Sequence, residues 1–332
     1  MDFQLSEDQK ALRNGVRSFC EGRVPTDALA ALAEEPGCDA SLWAELAEMG
    51  VFNLRISEQE GGVGLGMADA VLVFAELGRR LVPGPLIWTH LAAGLIEGAS
   101  TGEAIVGGLD RLGSHAHDPI LIEHLESIDS LIVLGHHGVE RIDPSEIVGT
   151  LVETPMDPMT PLHHVKTLPQ GEPIADSSAA GMLRLEGATL ASAQLLGIAE
   201  TTLELATDYA KKREQFGRPI GGFQAMKHML ADMFVNQEVA RSAVYAAGAT
   251  LDDPEVGHIP RAVSSAKLTA GEGALKNSRA CIQIHGGMGF TWEVPAHYYL
   301  KRTWVLNSVF GTTEEHADRS AQYLAQRAAE AR

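Results

Sequence analysis

Along the first hundred residues the hydrophobic positions recur with a helical period. Over residues 5 to about 22, Leu12, Val16 and Phe19 share one face behind Ser6, whose hydroxyl can cap a helix start. Leu42 to Met49 repeats the pattern and stops at Gly50, as a helix with a glycine C-cap does. The run Ser57-Glu58-Gln59-Glu60-Gly61-Gly62-Val63-Gly64-Leu65-Gly66 then opens a helix over Met67 to Arg79, and by itself it reads as a flexible loop ahead of a buried helix. From about 101 to 180 the helical period disappears. Short apolar runs, Leu131 to Leu134 and Ile147 to Val152, lie between turn residues, and Pro155, Pro158, Pro161, Pro169 and Pro173 break any helix. This predicts a small β-region. Helical spacing resumes from about Leu183. Ala191 to Lys212 carries Leu195, Ala199, Leu203 and Ala206 on one face, and Phe223 to Ala249 carries Met226, Leu230, Met233, Ala240 and Val244. A third helix is predicted from about Arg261 to Ile284, weakened by Gly271 and Gly273, and a last one starts at a Thr312 capping box with Glu315. The fold class is mainly α with a small β-domain, divided at 1–100, 101–182 and 183–332.

Composition narrows the function classes. The 332 residues are 45% hydrophobic with a formal charge of −18, which speaks against an anionic nucleic acid or membrane surface as partner. Cys20, Cys38 and Cys281 have no paired or metal-like spacing and read as reduced thiols. No apolar run approaches a membrane span, and acidic Asp2, Glu7 and Asp8 stand where a signal peptide needs basic residues, so a cytoplasmic location is expected. His136-His137 and His163-His164 are poor metal sites, because neighbours on a strand point to opposite faces.

Candidate chemistry sits in two segments. Arg213-Glu214-Gln215-Phe216-Gly217-Arg218-Pro219-Ile220 leads into Phe223-Gln224, and Gln283-Ile284-His285-Gly286-Gly287-Met288-Gly289-Phe290 closes the third helix. Arginine offers a fork of donors to phosphate, phenylalanine a stacking surface, and glycine room for close backbone approach. In this order and separation, with the 57–66 loop and Glu76-Leu77-Gly78-Arg79 after it, they resemble the acyl-CoA dehydrogenase family of flavoproteins. The resemblance implies three domains: N-terminal helical, middle β, and a C-terminal four-helix bundle. It implies α,β-desaturation of an acyl-CoA thioester, with FAD as cofactor and an electron-transferring flavoprotein as acceptor. It places Arg213, Gln215, Phe216, Phe223, Gln224, Gln283, Gly286 and Gly287 on the FAD of a neighbouring subunit, with Thr312 and Glu314 as further flavin contacts.

The departures from the family pattern fall at the centre of the chemistry. The family's base is most often the Glu before the C-terminal Gly-Thr, and Phe310 stands there. A minority of members place it ten residues before a glycine matching Gly197, and that position is Gly187. The family's Thr-Glu-Pro-x-x-Gly-Ser-Asp and Trp-x-Thr-Asn stretches are absent between Thr101 and Ser178, a region that looks shortened. The chain therefore resembles the base-lacking subunit of heterotetrameric, α₂β₂ acyl-CoA dehydrogenases of bacterial steroid degradation, whose homologous partner carries the base. Two alternatives remain open: a homomeric flavoenzyme with a non-standard base, for which Glu186, Glu314 and His316 are the candidates, and a non-catalytic scaffold or acyl-CoA-binding protein. A histidine in a first helical turn, as His316 is, is expected at the surface.

Overall fold

The computed structural model describes residues 4–113 and 119–330. Helices α1 (Glu7–Arg23), α2 (Leu29–Glu34), α3 (Ala40–Glu48), α4 (Met67–Arg79) and α5 (Leu86–Ala92) come first. Ser6 caps α1 through a reciprocal bond with Gln9, and Gly50 has the left-handed φ of 79° that ends α3. The central member is α4, buried continuously from Ala70 to Arg79. Two of those buried side chains are charged, and burial requires that they be paired. Arg79 reaches Glu76, Glu200 and Glu204 at 3.2, 2.9 and 2.6 Å, while Arg17 holds the other side of Glu76 at 2.7 Å.

The 57–66 run is a tight joint rather than a flexible loop. A Cβ on Gly62 would lie 2.2 Å from the Ile56 carbonyl oxygen, and one on Gly66 would lie 2.5 Å from the Asp252 carboxylate. That carboxylate accepts from the Met67 and Ala68 amides at 2.7 Å each, capping α4 from a helix 185 residues away.

Strands β1 (Val106–Asp110), β2 (Ile120–Glu123), β3 (Ser130–Gly135), β4 (Gly138–Ile142), β5 (Gly149–Leu151), β6 (Leu162–Val165) and β7 (Glu172–Ala175) form two sheets, ordered β1-β3-β4-β7 and β2-β6-β5. Strand β3 is buried on both faces, as its unbroken apolar run demands. The Ile147 to Val152 run yields only the three residues of β5, because a 3₁₀ turn over Pro144–Glu146 delays the strand. His136 and His137 lie in the β3–β4 turn rather than on a strand; His163, on β6, is buried and His164 exposed.

Helix α6 (Ser177–Lys212) runs for 36 residues from an Asp176 cap, starting before the expected boundary at 183. The hairpin β8 (Glu214–Gln215) and β9 (Arg218–Pro219) follows, then α7 (Gln224–Asp252), α8 (Ile259–His285), α9 (Ala296–Ser308) and α10 (Thr313–Glu330). Helix α8 is unbroken at Gly271 and Gly273. The first admits Asn307 of α9, whose Oδ1 would lie 2.4 Å from a Cβ there, and the second lies near the Asn236 carbonyl of α7. Where α4 crosses α6 the backbones touch: a Cβ on Gly78 would sit 2.3 Å from the Gln194 oxygen, and one on Gly197 2.0 Å from that of Ala75.

Candidate functional site

The residues expected to carry chemistry sort into two places at opposite ends of α6, a helix whose length spans roughly 50 Å. At the β-sheet end Gly187 and Phe310 meet. The Phe310 ring, 1% exposed, lies where a side chain on Gly187 would go: a Cβ there would be 2.4 Å from the ring. Trp88 of α5 packs on Phe310 with ring centroids 4.5 Å apart, and its indole presses on β1 so closely that a Cβ on Gly108 would be 2.1 Å away. Two small cavities of about 160 and about 40 Å³ border these rings. Both fall below the several hundred Å³ usual for a small-molecule pocket.

The loop bearing Phe310 is pinned from behind. The buried Lys267 ammonium donates to the carbonyls of Leu306 and Val309 at 2.6 and 2.9 Å, satisfying the end of α9, and burial pushes its pKa down to about 7. His316 is fully buried, not at the surface, because it packs across to α8. Its Nε2 lies 3.1 Å from the Phe310 carbonyl, which only an N–H can satisfy, so Nδ1 accepts from the Ser264 hydroxyl at 3.1 Å. Burial lowers its pKa to about 4. Both ring nitrogens are thus spent, and His316 has no lone pair for a substrate proton. Glu315 forms the expected capping box, its carboxylate accepting from the Thr312 amide at 3.1 Å while its amide donates to the Thr312 hydroxyl at 3.3 Å; it also meets Arg184. Glu186 is held by Arg55 at 2.6 Å, and Glu314 is exposed on α10.

Three residues here escaped the sequence reading: Trp88, Lys267 and Glu123. Glu123 ends β2 and lines both cavities. Burial holds its carboxyl up at about 7; Arg302 opposes that shift and Asp157 adds to it. No local sequence signal marks any of the three, because each gains its surroundings from distant segments.

At the far end α6, α7, α8 and α9 share a small apolar core that includes Ala206, Ala210, Met233, Cys281, Ile284 and Ala296. Tyr209 stacks on His285 at 4.2 Å, joining α6 to that turn. Arg213, Gln215, Phe216, Gln224, Gln283, Gly286 and Gly287 are all exposed there, with Phe223 half-buried behind them. Phe216 is 91% exposed and sits at φ 53°, a left-handed conformation unusual for an aromatic residue. Among the described residues no hydrogen bond or ion pair uses the Arg213 guanidinium. Gly287 has open space where a Cβ would be, so its own fold does not demand glycine; the missing side chain leaves bare backbone facing outward. Unspent guanidinium, exposed ring and bare backbone fit the diphosphate and base of a dinucleotide. Thr312 and Glu314 belong to the other end and do not join this group.

Comparison with known proteins agrees with this architecture. Residues 6–104 match the family "Acyl-CoA dehydrogenase, N-terminal domain" and residues 180–325 match "Acyl-CoA dehydrogenase, C-terminal domain", leaving the β-region between them. The chain is 34% identical over 316 residues to the acyl-CoA dehydrogenase IpdE2 of Mycobacterium tuberculosis, covering 89% of this chain and 91% of that protein. In fold it is similar to the ChsE4–ChsE5 complex from Mycobacterium tuberculosis, with a TM-score of 0.85 and 21% identity over 98% of this chain and 99% of that one. It is likewise similar to the Tcur3481–Tcur3483 steroid ACAD, with a TM-score of 0.82 and 22% identity over 97% and 99%.

Proposed function

Because the chain belongs to the acyl-CoA dehydrogenase family, oxidoreductases acting on CH–CH bonds, we propose that it is the base-lacking subunit of a two-component member of that family. One observation carries the reading. The two positions that resemblance assigns to the base meet here as a phenyl ring on a glycine, and Trp88 closes the space beside them. Phenylalanine cannot take a proton, and the two cavities bordering it are smaller than a usual small-molecule pocket. The other end of the bundle keeps its exposed donors, ring and glycines, which suits contact with a flavin held by a neighbour.

In this account Arg213 and Gln215 bind the diphosphate side of the partner's FAD, Phe216 offers a stacking face, and Gln283 with the Gly286–Gly287 backbone flanks the adenosine portion. Phe223 and Gln224 support the hairpin from the start of α7. When bound, FAD accepts the hydride in α,β-desaturation of an acyl-CoA thioester. This chain's residues orient that cofactor, while the partner subunit supplies the base. The partner is a homologous chain in an α₂β₂ assembly, and the two-component names of the ChsE4–ChsE5 and Tcur3481–Tcur3483 structures support that arrangement. The steroid designation of the second supports a fused-ring acyl-CoA as the substrate class. Replacing Arg213→Ala in the assembled complex should release flavin, read from visible absorbance after gel filtration; undiminished flavin would refute the assignment.

A second reading has one observation in its favour. Glu123 is a carboxyl with a pKa near neutral that faces both cavities, which is what an unusual base in a homomeric enzyme needs. The cavity volumes weigh against it. Turnover of an acyl-CoA by this chain alone, abolished by Glu123→Gln, would establish it instead.

A further inference from the structure

The hairpin carries a second arginine that the sequence motif does not single out. Arg218 is exposed, yet its guanidinium is not free to wander: its Cζ lies 4.1 Å from the centroid of the Phe223 ring. Phe223 in turn meets the edge of Phe216, with ring centroids 6.1 Å apart and planes at 88°. One half-buried ring at the start of α7 therefore holds both the tip of the hairpin and the cation beside it. A guanidinium stacked by its face keeps its in-plane N–H groups available. Among the described residues none of those donors makes a hydrogen bond or ion pair.

The strand register supplies the direction. Gln215 pairs with Arg218 across the hairpin, and paired residues of antiparallel strands share a face. Arg213, two residues before Gln215 in extended backbone, projects to that same face by alternation. By register, Arg213, Gln215 and Arg218 thus stand in a row on one side of a two-stranded ribbon, the Gln215 amide also donating to the Glu214 carbonyl at 2.8 Å. The chain as a whole carries a formal charge of −18, so two unpaired arginines in one row are a local reversal of sign. A row of this kind matches a dianion with oxygens on two adjacent phosphorus atoms, since each guanidinium can take one phosphate in bidentate fashion.

We propose that Arg218, held by Phe223, is a second diphosphate-binding residue that grips the partner subunit's dinucleotide beside Arg213. The inference rests on the functional reading above, and it assigns Phe223 the role of a positioning residue for Arg218 rather than a direct contact.

The test uses the complex co-purified with its base-bearing partner, stripped of flavin and titrated with FAD at low and high salt. Arg218→Ala should weaken FAD binding roughly tenfold to a hundredfold, the range for losing a hydrogen bond to a charged group. It should also flatten the salt dependence, because one screened charge contact is gone. Arg218→Lys, which keeps the charge but loses the fork, should recover only part of the affinity. Phe223→Leu, which keeps Arg218 but removes the ring face, should cost roughly twofold to fivefold. Wild-type FAD affinity in Arg218→Ala, with flavin lost in Arg213→Ala, would overturn this inference and leave the functional reading standing. Wild-type affinity in both variants would overturn both. If Arg218→Ala does not assemble, the other two variants decide: no weakening in either refutes the inference.

Discussion

Phe310→Ala removes the ring that fills the space between Gly187 and Trp88. The ring is 1% exposed, packs on Trp88 at 4.5 Å and covers Gly187, so its loss is a core truncation. Such Phe→Ala changes cost about 3–5 kcal/mol through lost transfer energy and the cavity left behind. One feature places this one at the lower end, about 3 kcal/mol. The neighbouring cavities of about 160 and about 40 Å³ give water and side chains a way into the vacated space. The φ of 54° at Phe310 brings no relief, because alanine pays the same left-handed penalty. The assay is urea unfolding at one fixed protein concentration, followed by tryptophan emission, to which Trp88 contributes directly. Flavin content of the intact complex should not change, since the ring is at the end of α6 opposite the hairpin. A loss below about 1 kcal/mol with unaltered emission would mean that Phe310 is not wedged against Trp88, and the argument for a filled space there would fall with it.

Acid should destabilise the fold in a defined window. His90, His124 and His316 are buried and held near 4 by desolvation, below the 6.5 of an exposed histidine. The unfolded chain therefore binds more protons between pH 6.5 and 4, so stability falls as pH drops through that range, by roughly 3 kcal/mol per histidine at the lower end. Glu123, held up at about 7, acts oppositely between 4.5 and 7 and offsets part of this. Melting temperature against pH should show the net decline, and a flat profile from pH 6.5 to 4 would contradict the burial of these rings. Gly197→Ala should cost at least about 2 kcal/mol, because its Cβ would overlap the Ala75 carbonyl at 2.0 Å where α4 and α6 touch. An unchanged urea midpoint would show that the two helices can part without penalty.

The legibility of this chain followed the locality of each signal. Ser6, Gly50, the Met67 to Arg79 helix and the Thr312–Glu315 capping box are local devices, and their residues stand where the pattern placed them. Helix α5 was missed because all seven of its residues are buried, which erases the one-sided period that marks an amphipathic helix. Helix α9 was not anticipated either; its buried residues include Arg302 and Thr303, polar groups that blur the pattern. The early start of α6 was present as an Asp176 cap, masked by Gly181 and Gly187 in the following turns. At the site, the absence of a carboxylate at 187 and 310 was legible by position, but the contact between them was not. His316 bonds Ser264, 52 residues earlier, and the carboxyl of Glu123 is held up first by burial, with Arg302 opposing and Asp157 adding to it. Such partners come together only in the folded chain.

The most direct test is flavin per chain, measured by visible absorbance on this protein purified alone and again after co-purification with the proposed homologous partner. The isolated chain should carry essentially no flavin, and the complex one flavin for each pair of chains. A full complement of FAD on the chain alone would contradict this, because the space beside Trp88 and Phe310 would then have to open for a flavin of its own.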